Sequence, residues 1–229
     1  MPKSAKSFEK IIDELRRLYG QPASPVVTDP LGMILLENIA YLVSDERRIE
    51  AFSALRDRVG LTPPQILMAP ETKLLEVAKL GGMHPLARVE KLRLIAQIAL
   101  QEFHGHFDRV LKQPLGQAKK SLKKFPGIGD PGAEKILLFS RTQPILALDS
   151  NGLRALLRLG YGEESKSYST AYRSVQDAVR REMKNDFDWL IAAHQLLRRH
   201  GQELCKNVNP ICARCSLKPC CSYYQTHES

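Results

Sequence analysis

Phe125-Pro126-Gly127-Ile128-Gly129-Asp130-Pro131-Gly132-Ala133-Glu134-Lys135-Ile136-Leu137-Leu138 is the stretch on which the fold turns. Two glycines flank one apolar residue, and an apolar helical pattern follows over Pro131–Ser140. Glycine permits positive φ and lets the backbone approach a ligand closely. The helix that starts at Asp130-Pro131 aims its free N–H groups at the same place, so the turn suits an anion such as a phosphate. Lys119, Lys120, Lys123 and Lys124 lie just upstream and add positive charge. A plain connection between two helices satisfies the same residues, and a bare G-x-G does not separate the two readings.

Outward from this turn the chain reads as helix. Phe8–Tyr19 places Phe8, Ile11, Ile12, Leu15 and Leu18 on one face, and Gly20 stops it. Asp29 and Pro30 mark the start of a nearly all-apolar helix over Leu31–Val43, which should be buried. Further helices are expected over Arg47–Val59, Pro63–Met68, Thr72–Lys79, Leu86–Phe103 and Leu115–Lys123. After the turn come Pro131–Ser140, Ser150–Leu159, Ser169–Glu182 and Asp186–His200. The best strand candidate, Ile145–Leu148, is too short to require a sheet. The expected fold is all-α, with two helical lobes hinged near Phe125–Asp130. One lobe is a six-helix unit over residues 26–125; the other joins residues 1–25 to 126–229 and carries the hairpin.

With 43% hydrophobic and 26% charged residues, the 229-residue chain is an ordinary globular one, which excludes a disordered class. A net charge of +9 favours a polyanionic partner, nucleic acid being the commonest, although a basic protein need not have one. Met1–Lys10 is charged and lacks the apolar core of a secretory signal, and no stretch approaches a membrane span. An intracellular protein is expected, in the cytoplasm or nucleoid if prokaryotic. All five cysteines fall in the last twenty-five residues, a clustering that points to metal rather than to a disulfide framework. Cys205, Cys212, Cys215 and Cys221 have the spacing C-x6-C-x2-C-x5-C. Four thiolates suit zinc or an iron–sulfur cluster, and the two short C-x2-4-C pairs usual for zinc are missing. Cys220 is left over beside Cys221.

The turn, followed by Ala133 and an apolar helix, resembles the helix–hairpin–helix of the endonuclease III superfamily. About twenty residues on, Pro144-Ile-Leu-Ala-Leu-Asp149-Ser-Asn-Gly-Leu-Arg154 looks like that family's apolar-Asp-Thr-His-x-x-Arg segment, with Ser150 and Asn151 in place of Thr and His. The cysteine spacing matches the family's [4Fe–4S] signature. The three motifs agree in order and separation from about Asp29 to Tyr224.

The resemblance implies a base-excision DNA glycosylase that binds double-stranded DNA as a monomer, in the cleft between two helical lobes, and flips a base into a pocket. It implies a [4Fe–4S] cluster on Cys205, Cys212, Cys215 and Cys221, in a loop that carries Lys206, Arg214 and Lys218 toward the DNA backbone. Asp149 matches the catalytic aspartate, which steadies positive charge on the sugar or positions water; an N-cap for the helix from Ser150 is its structural alternative, and the roles are compatible. Gly127, Ile128 and Gly129 match the DNA-contacting turn, and Arg154 the family arginine. Met83 or His84, in Gly81-Gly-Met-His-Pro85, matches a wedge loop, and Tyr41 the place of a gap-filling glutamine; a turn methionine and a buried core tyrosine are the bland readings. Glu37, inside an apolar helix, matches the place of a general acid in adenine-excising members, against a salt-bridged glutamate.

One departure concerns strand cleavage. Bifunctional members carry a lysine two residues after the second glycine, whose amine attacks the sugar. Pro131 stands there and has no nucleophile. The resemblance therefore implies a monofunctional enzyme that uses water, with Lys135, one helical turn on, as the route by which lyase chemistry would survive. A non-catalytic DNA-binding protein on the same scaffold is the remaining alternative.

Overall fold

In the computed structural model, residues 7–227 are described; most of Met1–Lys10 lies outside them. The helices are α1 (Phe8–Tyr19), α2 (Pro30–Ile39), α3 (Asp45–Arg58), α4 (Pro63–Met68), α5 (Glu71–Leu80), α6 (Pro85–Gln101), α7 (Asp108–Leu111), α8 (Leu115–Leu122), α9 (Asp130–Phe139), α10 (Ser150–Leu159), α11 (Tyr168–Val179), α12 (Phe187–Glu203) and α13 (Ser222–His227). No strand occurs among the described residues. Only the short α7 and α13 lacked a readable period. The other helices lie within a few residues of their expected bounds.

The chain forms two compact units, Pro25–Gln143 and, as the other, the segment ending at Ser24 with the chain from Pro144 onward. The boundary at Gln143/Pro144 differs from the one expected at 125/126, and the hairpin packs with α2–α9. Two observations explain this. The Phe125 ring lies 5.1 Å from Phe103 and 5.8 Å from Phe107, an aromatic cluster that joins the hairpin to the end of α6. Buried Asn38 donates its amide N–H groups to the Ile34 and Pro126 carbonyls, both at 2.9 Å, which ties α2 to the turn.

Asp29 caps α2 by accepting the Gly32 N–H at 2.7 Å, with Pro30 in the first turn. The helix ends at Ile39, four residues before Val43, because another strand of backbone arrives there. A Cβ at Gly81 would lie 1.8 Å from the Ile39 carbonyl oxygen, and the Tyr41 N–H donates to the Gly81 carbonyl at 3.3 Å. Ala40 is therefore extended, and Leu42 takes φ 54°.

The second unit packs α10 against α12 and α1 against α12. Ahead of α10, Leu146, Ala147 and Leu148 are buried. They form no sheet because side chains satisfy their backbone. The Gln176 amide donates to the Leu146 carbonyl at 2.9 Å, His194 Nδ1 lies 2.9 Å from the Ala147 carbonyl, and the Leu148 N–H donates to the Tyr172 hydroxyl at 3.2 Å.

Asn38→Ala leaves the Pro126 carbonyl without its partner and should cost about 1–3 kcal/mol in urea unfolding. Gly81→Ala should cost more, because its clash is with backbone that cannot rotate away. Equal midpoints for Gly81→Ala and the parent protein would contradict this packing.

Candidate functional site

In the unit Pro25–Gln143, the hairpin presents the exposed backbone of Gly127 and Gly129. Gly127 has φ 72°, and a Cβ there would meet Asn38 Oδ1 at 3.1 Å, so only glycine fits comfortably. The Ile128 side chain is buried, so its part in any ligand contact is limited to backbone. The upstream lysines are partnered. Lys119 pairs with Asp130 at 3.1 Å and with Glu134; Lys123 pairs with Asp130 at 3.0 Å, and Lys124 with Glu102. Burial opposes ionisation of Asp130, but hydrogen bonds from Lys123 and Lys119 hold its carboxyl below the usual carboxylate range. A surface hollow lined by Lys119, Lys120, Lys123, Lys124 and Asp130 remains, with lysine predominating.

Glu37 faces α9, where its carboxylate is shared by Lys135 and, at 3.5 Å, by Arg48. The two sequence candidates thus meet, as an ion pair that joins α2, α3 and α9. The lone carboxylate in an apolar helix is not what the structure holds.

Tyr41, Met83 and His84 lie on two neighbouring turns. Tyr41 is 69% exposed and Met83 65%, so Tyr41 is no core residue, and it sits beyond the end of α2 rather than on it. Leu42 is exposed beside it. His84, at φ 59°, is an exposed residue at the head of α6. Arg88, which the sequence reading missed, fixes this loop: its buried guanidinium donates to the Ala78 (3.0 Å), Gly82 (3.3 Å) and Met83 (2.8 Å) carbonyls.

In the other unit, Asp149 is the N-cap of α10. Its Oδ1 accepts the Gly152 N–H at 2.7 Å. Its Oδ2 accepts the Asn151 amide at 3.0 Å and lies 3.5 Å from Arg198 Nε. The buried segment before it and the helix after it leave the carboxylate partly exposed in one fixed orientation. Arg154 is directed inward. It donates to the Cys205 carbonyl at 2.9 Å, the Gly201 carbonyl at 2.8 Å and Asn151 Oδ1 at 2.9 Å. These contacts form a brace that connects Asp149, through Asn151, to the head of the cysteine loop. Neither Arg154's direction nor Arg198's place beside Asp149 has a sequence signal.

Cys205, Cys212, Cys215 and Cys221 line one cavity together with Arg158, His200, Lys218, Tyr223 and Tyr224. Cys220 does not line it; its Sγ donates to the Leu217 carbonyl at 3.2 Å. Burial pushes the Cys215 thiol up to about 11 and raises Cys221 as well, so a bound cation must draw these protons off. Arg158 donates to Cys205 Sγ at 3.6 Å and to the Lys206 and Asn207 carbonyls at 2.6 and 3.1 Å. Among the described residues, no three His, Cys, Asp or Glu side chains are arranged around a single-ion position. Four cysteine thiols on one cavity are a donor set suited to zinc or to an iron–sulfur centre.

No family model matches the chain. Endonuclease III of Sulfolobus acidocaldarius is 27% identical over 195 residues, 85% of this chain and 80% of that protein. The thymine-DNA glycosylase of Aeropyrum pernix is 28% identical over 222 residues, 96% of this chain and 95% of that protein. A solved endonuclease III, in a trapped covalent intermediate with DNA, superposes with a TM-score of 0.74 over 95% of both chains at 17% identity. Full-length similarity, the shared all-helical fold and the order of hairpin, aspartate and cysteine loop agree in likening the chain to endonuclease III and its glycosylase relatives.

Proposed function

We propose that this protein is a monofunctional DNA glycosylase that hydrolyses the N-glycosidic bond of a damaged or mismatched base in double-stranded DNA. The observation that carries this reading is Asp149. One carboxylate oxygen caps α10 and the other is held by Asn151 and Arg198, in a chain whose relatives are glycosylases. Bond cleavage builds positive charge on the sugar, and a preoriented carboxylate stabilises it or aligns the attacking water without reorganising. Tyr41, Leu42 and Met83 are exposed apolar groups on adjoining turns, suited to fill the gap left by a flipped nucleotide. The hairpin backbone and the lysine hollow suit phosphates. The protein acts as a monomer in this reading. Thymine in DNA, named in the Aeropyrum relative, is the first base to try.

Two features argue against lyase chemistry. Pro131 offers no amine for a Schiff base, and the Lys135 amine is engaged in an ion pair with Glu37. The four cavity-lining cysteines would hold a [4Fe–4S] cluster that orders the loop Cys205–Cys221, with Cys220 outside the ligand set. When bound, the cluster supplies cross-linking between distant points of this loop.

Asparagine is as good an N-cap as aspartate, so Asp149→Asn should fold normally. It should retain DNA binding while losing base release by about 10²–10³-fold in a screen of oligonucleotides that each carry one lesion or mismatch. Full activity in Asp149→Asn would remove Asp149 from the chemistry. Borohydride treatment on abasic DNA should trap no covalent adduct; an adduct that disappears in Lys135→Ala would instead establish the bifunctional enzyme. Purified protein should be brown with the broad visible absorbance of an iron–sulfur centre, kept in Cys220→Ser and lost in Cys212→Ser. Colourless protein with one zinc per chain would overturn the cluster.

A further inference from the structure

His200 is 2% exposed, close to the C-terminal end of α12, and touches the thiol cavity in two ways. Its carbonyl accepts the Cys205 N–H at 2.8 Å, and its Nε2 lies 3.7 Å from Cys215 Sγ. The other ring nitrogen, Nδ1, lies 3.1 Å from the hydroxyl of Tyr19, the last residue of α1. Tyr19 is itself clamped. Arg199 donates to its carbonyl at 3.2 Å and lies 4.8 Å over its ring, and Glu203 holds Arg199 at 2.7 Å.

These contacts fix a proton arrangement. A thiolate ligand has no proton and can only accept, so Nε2 must carry the imidazole hydrogen toward Cys215. In a neutral ring Nδ1 then holds a lone pair, and the Tyr19 hydroxyl donates to it. The proposed glycosylase chemistry uses neither residue.

We propose that Tyr19 locks His200 in the Nε2–H tautomer and that His200 donates this hydrogen bond to the sulfur of Cys215, raising the reduction potential of the cluster. The inference rests on the reading of the four cysteines as cluster ligands. Hydrogen bonds to ligand sulfur offset the extra negative charge of the reduced cluster, so their loss favours the oxidised form. Tyr19 and His200 are positioning residues in this scheme: Tyr19 acts through His200, and His200 through Cys215.

The test compares parent protein with Tyr19→Phe, His200→Gln and His200→Leu, purified without oxygen. Iron and acid-labile sulfide are counted per chain, and the reduction potential is read by film voltammetry. His200→Leu and Tyr19→Phe should shift to lower potential, Tyr19→Phe by less because the imidazole survives but is free to change tautomer. His200→Gln, whose amide keeps an N–H, should lie closer to the parent than His200→Leu does. Unshifted potentials at equal iron content in Tyr19→Phe and His200→Leu would overturn the proposal. Should His200→Leu lose its iron, Tyr19→Phe decides alone, since it deletes one hydroxyl and little volume. Parent protein that binds no iron would sink the cluster reading and this inference together, whereas an iron-loaded parent with unshifted variants sinks only the inference.

Discussion

Every helix leaves its last carbonyls without an internal partner, and a chain built almost wholly of short helices meets that problem many times over. In this protein arginines supply the missing donors. Arg93 caps the end of α4 through the Leu67 and Ala69 carbonyls, and Arg47 meets the Leu80 carbonyl at the end of α5. Arg88 binds the same helix end and the loop beyond it, Arg199 the end of α1, and Arg154 the end of α12. A guanidinium carries five donors in a planar fork and can bind two or three carbonyls at once, which a lysine cannot do with the same geometry. The packing of short helices at close quarters depends on these contacts.

This alters the meaning of the net charge of +9. The charge favours a polyanionic partner, yet part of it is structural. Arg88 and Arg154 face carbonyls rather than solvent, and Lys119, Lys123 and Lys124 each have an acidic partner. The exposed hairpin backbone and the lysine-rich hollow beside it remain available for phosphates. A formal charge counts residues; only the fold tells which of them face outward.

The helices, the Gly-x-Gly turn and the cap at Asp149 were legible because each follows from local rules: a 3.6-residue apolar period, a glycine pair before a proline, an aspartate before a helix start. What escaped depended on partners distant in the chain. Arg154 carried a motif position but no sign that Cys205 and Gly201 would take its guanidinium. Glu37 left a general acid and a salt-bridged glutamate both open, because its partner Lys135 is 98 residues away. The hairpin was expected with the C-terminal segment, since nothing local announces that Asn38 will bind the Pro126 carbonyl. Tyr41 was placed on a helix whose end is set by Gly81, not by any breaker near residue 40.

The close approach of Gly81 to Ile39 also bears on which positions of this loop pair can vary. Because the two backbones touch and exchange a hydrogen bond, the exposed tips at Tyr41, Leu42 and Met83 form a single rigid prong rather than two independent fingers. Variation at the tips is cheap, for those side chains meet solvent, while the root tolerates little. Exchange of tip side chains would therefore change what the prong presents to solvent while leaving the fold intact.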